Sequence, residues 1–295
     1  MKISDLVAQA KTSFCSFEFF PPKERKDWPN FFATVERLKL LNPLFASVTY
    51  GAGGGTQDNT LEITAHLKND FELEPMAHLT CVGATEERIR NFVAGLADSG
   101  VMNVLALRGD APKDQAVDWH NADFRHASDL VSFTRKTFPD FGIAVAGYPG
   151  CHPESKTFSE DREYTRRKIE AGADLVITQL FFDVREYIDF VERLRHNGVT
   201  VPVLPGVMPV QSLDSIRRVL ALCGANIPGH LYLKLEAAHQ EGGAAAVKKA
   251  GISFAVEQIC RLLDAGAPGI HLYTLNRAET CLAIINEVKD RGYSL

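Results

Sequence analysis

Phe14-Cys15-Ser16-Phe17-Glu18-Phe19-Phe20-Pro21-Pro22 is the stretch that decides the fold. Its first six residues form an aromatic-rich run of the kind that fills a strand, and two prolines follow almost at once. A doubly wound dinucleotide-binding sheet would place glycines in the turn after its first strand, so that backbone could approach a pyrophosphate. Prolines have fixed φ and no N–H and cannot build that turn. The cluster Gly51-Ala52-Gly53-Gly54-Gly55-Thr56 is the nearest glycine-rich segment, but Thr56 stands where GxGxxG needs its third glycine, and no GxxxxGK[ST] occurs. Strand alternation sends Ser16, Glu18 and Phe20 to one face and Phe17 and Phe19 to the other.

Outward from this strand, β-type runs alternate with helical patterns along the whole chain. The runs are Phe14–Phe19, Phe45–Tyr50, Met76–Thr80, Asn103–Leu107, Ile143–Gly147, Leu175–Gln179, Val201–Gly206 and Ile270–Thr274, eight in all. Between them, apolar residues recur at helical spacing: Trp28, Phe31, Phe32, Val35 and Leu38 after Asp27, a good N-cap; Ile89, Phe92, Val93 and Leu96 after Thr85; Val184, Tyr187, Ile188, Val191 and Leu194 after Asp183. A helix opened by Ser159 carries Asp161, Tyr164, Arg167 and Lys168. The last helix opens at Asn276, with Glu279 in capping-box position. Ala237–Gly243 reads as a surface loop. Eight β-then-α units imply a parallel sheet with right-handed crossovers, and eight is the closure number of the TIM barrel. The expectation is one α/β domain over residues 1–295, a (βα)₈ TIM barrel, with no C-terminal regulatory domain.

Composition excludes several classes of function. Of 295 residues, 45% are hydrophobic and 23% charged; 32 Lys+Arg against 37 Asp+Glu give a net charge of −5. The basic residues are scattered, which leaves no electrostatic footprint for nucleic acid and no basic amphipathic helix for a membrane surface. The N-terminus Met1-Lys2-Ile3-Ser4-Asp5-Leu6 lacks the apolar core of a signal peptide. Cys15, Cys81, Cys151, Cys223, Cys260 and Cys281 never fall in a CxxC pair, so they read as reduced cytosolic thiols. The expectation is a cytoplasmic enzyme, with exposed helix faces that suit a homo-oligomer.

Barrel chemistry gathers at the C-terminal strand ends. Those ends supply Glu18; Thr49 and Tyr50; His78 and Thr80; Arg108 and Asp110; Tyr148 and His152; Gln179; the Gly206–Pro209 turn; and Tyr273 through Arg277. Glu18 beside aromatic rings and Pro21 would be partly desolvated, raising its pKa toward that of a proton donor; a carboxylate in water or paired with Lys23 fits the motif as well. Arg108-Gly109-Asp110 fits a ligand approached by backbone at Gly109, or an ordinary ion pair across a tight turn. Asp161, Tyr164, Arg167 and Lys168 share one helical face, with Arg167 at its margin; the two cations suit a phosphate, as they would a solvated face. His78 and His152 each sit just past a strand and suit ligand hydrogen bonds. The nine histidines show no HxxxH or HxH spacing, so a metal-free site is expected. Cys151 beside His152 invites a nucleophile reading, but lacks an orienting group in sequence. An aldolase would need a Schiff-base lysine or metal cluster at the strand ends, and neither is there. A non-catalytic binding barrel is the other alternative.

Several blocks together resemble the 5,10-methylenetetrahydrofolate reductases. They are Ser16-Phe17-Glu18-Phe19-Phe20-Pro21-Pro22-Lys23, Ser47-Val48-Thr49-Tyr50-Gly51-Ala52-Gly53, His78-Leu79-Thr80, Ala106-Leu107-Arg108-Gly109-Asp110, Tyr148-Pro149, His152-Pro153-Glu154, Ile177-Thr178-Gln179, Phe181-Phe182-Asp183, Pro205-Gly206 and Tyr273-Thr274-Leu275-Asn276-Arg277. The resemblance implies a barrel that holds FAD non-covalently, is reduced by NADH or NADPH, and passes hydride to methylenetetrahydrofolate in ping-pong fashion, feeding methionine synthesis. It implies Glu18 as general acid and Asp110 as a tuner of the flavin that also orients folate. Gln179 and Arg277 would contact folate. Thr49, Tyr50, Ala52, His78, Arg108, Gly109, Asp110, Ala127, Tyr148, His152, Asp161, Arg167 and Lys168 match FAD-contacting positions. Val219, Gly229 and His230 depart from the pattern of many members.

Overall fold

The computed structural model describes residues 1–50, 57–111 and 118–295, and in it parallel strands alternate with helices as the sequence leads one to expect. The strands are β1 (Phe14–Phe19), β2 (Ala46–Val48), β3 (Pro75–Thr80), β4 (Asn103–Leu107), β5 (Gly142–Gly147), β6 (Leu175–Thr178), β7 (Val203–Leu204), β8 (Gly206–Val207) and β9 (Gly269–Tyr273). They pair in the order β7-β6-β5-β4-β3-β2-β1-β9-β8, every pair parallel.

Nine strands replace the expected eight because the seventh is cut in two by Pro205. Proline has no N–H to give to a ladder. Its carbonyl still accepts from His271 N at 2.9 Å, while β7 pairs with β6 and β8 with β9. The two ends of the sheet are therefore consecutive halves of one stave, and the sheet closes on itself through Pro205. Gly206 is required at the break: a Cβ there would lie 2.3 Å from the Thr178 carbonyl and 2.5 Å from the Tyr273 hydroxyl.

The helices are α1 (Ile3–Gln9), α2 (Trp28–Lys39), α3 (Gln57–Asn69), α4 (Glu86–Asp98), α5 (Ala127–Thr137), α6 (Phe158–Glu170), α7 (Val184–His196), α8 (Leu213–Cys223), α9 (Gly229–Asp264) and α10 (Ala278–Asp290). Those after a strand lay their apolar stripes on the outside of the barrel. Trp28, Phe31, Val35 and Leu38 of α2 are buried, as are Ile89, Phe92, Val93 and Leu96 of α4. Thr85 caps α4 and Asp183 caps α7 through side-chain oxygens that accept backbone N–H groups. No helix among the described residues is long and apolar enough to cross a membrane.

Four local expectations are corrected. Asp27 makes no side-chain cap, because a 3₁₀ turn over Arg25–Asp27 leads into α2. Thr157, not Ser159, opens α6; its hydroxyl accepts from Glu160 N. Asn276 sits at φ 54° and caps nothing. Its amide instead clasps β1's exit, donating to Phe20 O at 2.7 Å and accepting from Phe20 N at 3.1 Å. Ala237–Gly243 is helix, interrupted only where Gly242 and Gly243 leave helical φ/ψ.

α1 closes the N-terminal end of the barrel, a part of the fold that periodicity did not announce. Ile3 and Val7 pack on Phe14, Phe45, Met76 and Leu105 at the bottom of the interior. Asn103 locks the plug in place: its side chain accepts from Ile3 N at 2.8 Å and donates to Met1 O at 3.0 Å.

Candidate active site

Inward-facing residues follow the two-residue period of each strand. At the lower end they are Phe14, Phe45, Met76, Leu105, Ala144 and Leu175, an apolar layer sealed by α1. One step up, the same positions carry Ser16, Ser47, His78 and His271, and above these lie Glu18 and Tyr273. The interior thus turns from hydrocarbon to polar along the barrel axis.

Glu18 is 6% exposed. Its Oε2 lies 3.4 Å from His78 Nε2, delivered by β3, and 3.9 Å from His271 Nε2, delivered by β9. His78 is inside its strand rather than past it. Its Nε2 is not aligned for a hydrogen bond to the carboxylate and finds no partner among the described residues. His271 is fully buried. Its Nδ1 lies 2.8 Å from the Ser16 hydroxyl and its Nε2 3.1 Å from that of Ser47. The Phe45 ring stacks on it at 5.5 Å, and Tyr273 meets it edge-on at 5.7 Å.

The charge state of Glu18 reverses the sequence-based expectation. Burial, the strongest single influence, does push the carboxyl pKa upward. The His271 and His78 imidazoles beside it together outweigh burial and hold the carboxyl down at about 2. The sequence displayed the aromatic neighbours and Lys23 but not two imidazoles arriving from strands 60 and 253 residues away. Lys23 itself is exposed, outside this cluster. Burial lowers the His271 pKa and so favours its neutral ring.

A second group lies around β4, β5 and α6. Arg108 does not pair with Asp110 across the turn; it forms a two-pronged ion pair with Glu154, at 2.5 and 2.7 Å, with its guanidinium 5.3 Å from the Trp119 ring. Gly109 takes φ +80° between the Thr80 and Val82 side chains. Asp110 is exposed on the rim. Tyr148's own burial chiefly, and the Asp110 charge in the same direction, push its hydroxyl up to about 12, with Gln179 acting the other way. The Tyr148 and His152 rings meet edge-on at 4.8 Å. Burial and the nearby Arg108 lower the pKa of His152.

The four α6 residues do not share one face. Asp161 is buried, with Oδ1 accepting from His152 N and the Ser155 hydroxyl, while Oδ2 has no partner among the described residues. Lys168 points inward too and donates to Ala146 O at 2.5 Å; burial lowers its pKa to about 8. Tyr164 and Arg167 are on the outer side, where Arg167 pairs with Glu163 at 3.0 Å and Tyr164 donates to Glu160 at 3.0 Å. The two expected cations are therefore separated.

The remaining candidates scatter along the rim. Thr49 N donates to Phe19 O, and the Tyr50 ring packs edge-on against Phe92. Ala127 begins α5, whose entry is tied by Asp129 accepting from Arg125 N and His126 N. Arg277 is exposed beyond β9. Ala52 lies outside the described residues. Cys151 is half-buried, its thiol 3.9 Å from Ser155 O. Sequence reasoning missed His271, Ser16 and Ser47 as a unit. The signal was available: Ile270-His271-Leu272-Tyr273 alternates apolar with polar, which puts His271 on the Tyr273 face of its strand.

Comparison with known proteins adds four findings. The family profile described as methylenetetrahydrofolate reductase matches residues 2–289. The methylenetetrahydrofolate reductase (NADH) 1 of Arabidopsis thaliana is 38% identical, over 96% of this chain and 49% of its own length. The chain thus spans about half the length of the plant relatives it matches. The 5,10-methylenetetrahydrofolate reductase of Escherichia coli K12 is 35% identical, over 91% of this chain and 88% of its own. Among solved structures, an uncharacterized Clostridium thermocellum protein that binds two copies of 5-methyl-5,6,7,8-tetrahydrofolic acid superposes with a TM-score of 0.70. It is 16% identical and covers 98% of both chains. At that identity the likeness speaks for the fold alone.

Proposed function

The chain belongs to the methylenetetrahydrofolate reductase family, and we propose that it reduces 5,10-methylenetetrahydrofolate to 5-methyltetrahydrofolate with electrons from a reduced nicotinamide, carried by non-covalently bound FAD. The observation that carries this reading is Glu18: a buried carboxyl at the polar end of the barrel, faced by two imidazoles. NADH is the favoured reductant, since relatives at 38% and 37% identity bear it in their names. The six free cysteines suit a cytoplasmic setting, and the exposed helix faces suit a homo-oligomer.

The residues present fit FAD. A bound dinucleotide needs donors for its diphosphate and acceptors for its sugar hydroxyls. Arg108 and the Lys168 ammonium supply the former, and the unpartnered Oδ2 of Asp161 is a buried acceptor in want of a hydroxyl. His78 offers a second unsatisfied nitrogen. Thr49, Tyr50, Ala52, Gly109, Asp110, Ala127, Tyr148, His152 and Arg167 complete the proposed set. When bound, FAD supplies a two-electron carrier that takes hydride from the nicotinamide and delivers it to the exocyclic methylene carbon.

The chain's own task is to make that carbon electrophilic. The product keeps its carbon on N5, so the bond to N10 must break and N10 must gain a proton. Glu18 is placed to hold that proton on a carboxyl oxygen and give it to N10, a contribution of about 10²–10⁴-fold in rate. In the open pocket the two imidazoles keep Glu18 ionised. A pterin lying over the barrel mouth excludes water and deepens burial, the one influence that raises this pKa. The carboxylate left after proton transfer then faces the cationic iminium, which it stabilises. Gln179, Asp110 and Arg277 would orient the folate.

The test is the visible spectrum of the purified protein under anaerobic conditions. Yellow protein that bleaches with NADH and recolours on adding methylenetetrahydrofolate supports both half-reactions. Protein that stays colourless after addition of FAD overturns the reading.

A further inference from the structure

We infer that His271 is a positioning residue for Glu18, aimed at the carboxyl by Ser16 and Ser47 and fixing both its orientation and its protonation state. The inference rests on the general-acid reading of Glu18. Its grounds are geometric. His271 is an imidazole at full burial, just above the apolar layer of Phe14, Phe45, Met76 and Leu105. A buried imidazole needs a partner for each nitrogen, and here each has one: Ser16 Oγ at 2.8 Å and Ser47 Oγ at 3.1 Å. Ser16 Oγ also lies 3.1 Å from Ile270 O, but its one proton serves a single acceptor; given to Nδ1 it leaves the neutral ring's proton on Nε2, the nitrogen turned toward Glu18. Phe45 stacked on one face of the ring removes the remaining freedom.

Three strands converge on this arrangement. Register places Ser16 beside His271, one step below the carboxyl, and Ser47 and Tyr273 beside Glu18 itself. The ring the two serines orient presents Nε2 to Glu18 Oε2 at 3.9 Å. A purely structural polar cluster would satisfy itself and stop there; this one ends on the acid.

The other groups facing Glu18 are His78 from β3 and Tyr273 from β9. They divide the work. Tyr273 spends its hydroxyl proton on Thr178 O at 2.6 Å. His78 Nε2, at the ligand end of the barrel, has no hydrogen-bond partner among the described residues. His271 is sealed from solvent, so it cannot exchange protons with water during turnover. Its influence is constant, which is what orienting an acid requires.

The test compares His271→Leu and His271→Gln with the unaltered chain. The first readout needs neither flavin nor folate: the carboxyl ¹³C signal of Glu18 in the purified protein, assigned by its loss in Glu18→Gln, followed against pH. With His271 in place the carboxyl stays ionised down to acid unfolding. In His271→Leu one lowering influence is gone and burial remains, so the carboxyl takes up its proton at higher pH while the protein is still folded. His271→Gln, which restores a donor near the position of Nε2, moves the titration back toward the original.

The second readout is the folate half-reaction. In His271→Leu its maximal rate falls about tenfold with KM unchanged, and its alkaline limb moves to higher pH; flavin reduction by NADH is unaffected. If Glu18 titrates alike in all three proteins, or if the rate falls without any shift of the limb, the inference is overturned. Should His271→Leu fail to fold, Ser16→Ala, which removes the hydroxyl that keeps the ring's proton on Nε2 and leaves the ring in place, must shift the carboxyl in the same direction, and an unshifted carboxyl overturns the inference there too. Failure of the underlying reading is distinct: Glu18→Gln would then retain the folate half-reaction whatever the titration shows.

Discussion

The two ends of the barrel are built to opposite rules. At the N-terminal end, α1 plugs the interior with Ile3 and Val7 over a layer of Phe14, Phe45, Met76 and Leu105, and the polar group there, Asn103, is bonded on both amide atoms. At the C-terminal end, His78 Nε2 and Asp161 Oδ2 are buried with no hydrogen-bond partner among the described residues, and Lys168 holds an ammonium on one carbonyl. A buried polar atom without a partner costs about 1–3 kcal/mol. The lower end therefore stabilises the fold, and the upper end spends stability on groups that have work only when a ligand arrives.

Glu18→Gln should break this contrast most visibly. The folate half-reaction should lose about 10²–10⁴-fold, while flavin reduction by NADH and the thermal midpoint remain near those of the parent; stopped-flow absorbance resolves the two half-reactions. A variant that keeps folate turnover would strip the upper end of its acid. Leu105→Ala gives the converse. It removes buried hydrocarbon from the sealed layer and should cost about 2–5 kcal/mol of stability, measured by denaturant unfolding, with the activity of each folded molecule unchanged. Lost activity without lost stability would mean that the lower end is not merely structural.

The same contrast explains what the sequence disclosed. Periodicity exposed the barrel because it is written into every element: the two-residue alternation of Ser16, Glu18 and Phe20, the helical stripe of Ile89, Phe92, Val93 and Leu96, the caps Thr85 and Asp183. Of the site, it exposed the residues at strand ends. It did not expose pairings, which depend on register between strands far apart in the chain. Arg108 reads as a partner of Asp110 two residues on, yet it binds Glu154. Glu18 reads as an acid among aromatics, yet β3 and β9 bring two imidazoles against it. Asn276 reads as a helix cap but clasps Phe20. The Pro205 break was equally hidden, because a proline inside a β-type run does not say whether its neighbours remain paired.

Lys168→Met sharpens the comparison on the stability side. Its ammonium is held at a pKa near 8 instead of the ordinary 10.5, and at about 1.4 kcal/mol per unit this places up to about 3 kcal/mol against the folded state. The sign follows from proton binding: below pH 8 both states carry the charge and the full penalty applies, and between about 8 and 10.5 the folded state sheds its proton and the penalty fades. The variant should thus be more stable than the parent at neutral pH without flavin, with the difference shrinking as pH rises through that window. It should also bind FAD more weakly. Weaker unfolding resistance at neutral pH would mean that the bond to Ala146 O outweighs the burial of charge.

The smallest effect is expected at the rim, where Arg108 and Glu154 meet. Glu154 is well exposed, at 64% of its side chain, and an exposed ion pair contributes about 0–1 kcal/mol, so Glu154→Ala should scarcely move the unfolding midpoint. Its consequence lies in ligand binding. The two-pronged contact and the Trp119 ring together hold the guanidinium in one place before any dinucleotide is present. Releasing a long side chain that must later be immobilised costs about 0.5–1.5 kcal/mol, so FAD should bind several-fold more weakly, as read by flavin fluorescence on titration. The opposite result would be as informative. Tighter binding in Glu154→Ala would mean that the carboxylate competes with the diphosphate for Arg108. The upper end of the barrel would then keep its charges paired until a ligand displaces the pairing, and the contrast with the sealed lower end would be one of exchange rather than of vacancy.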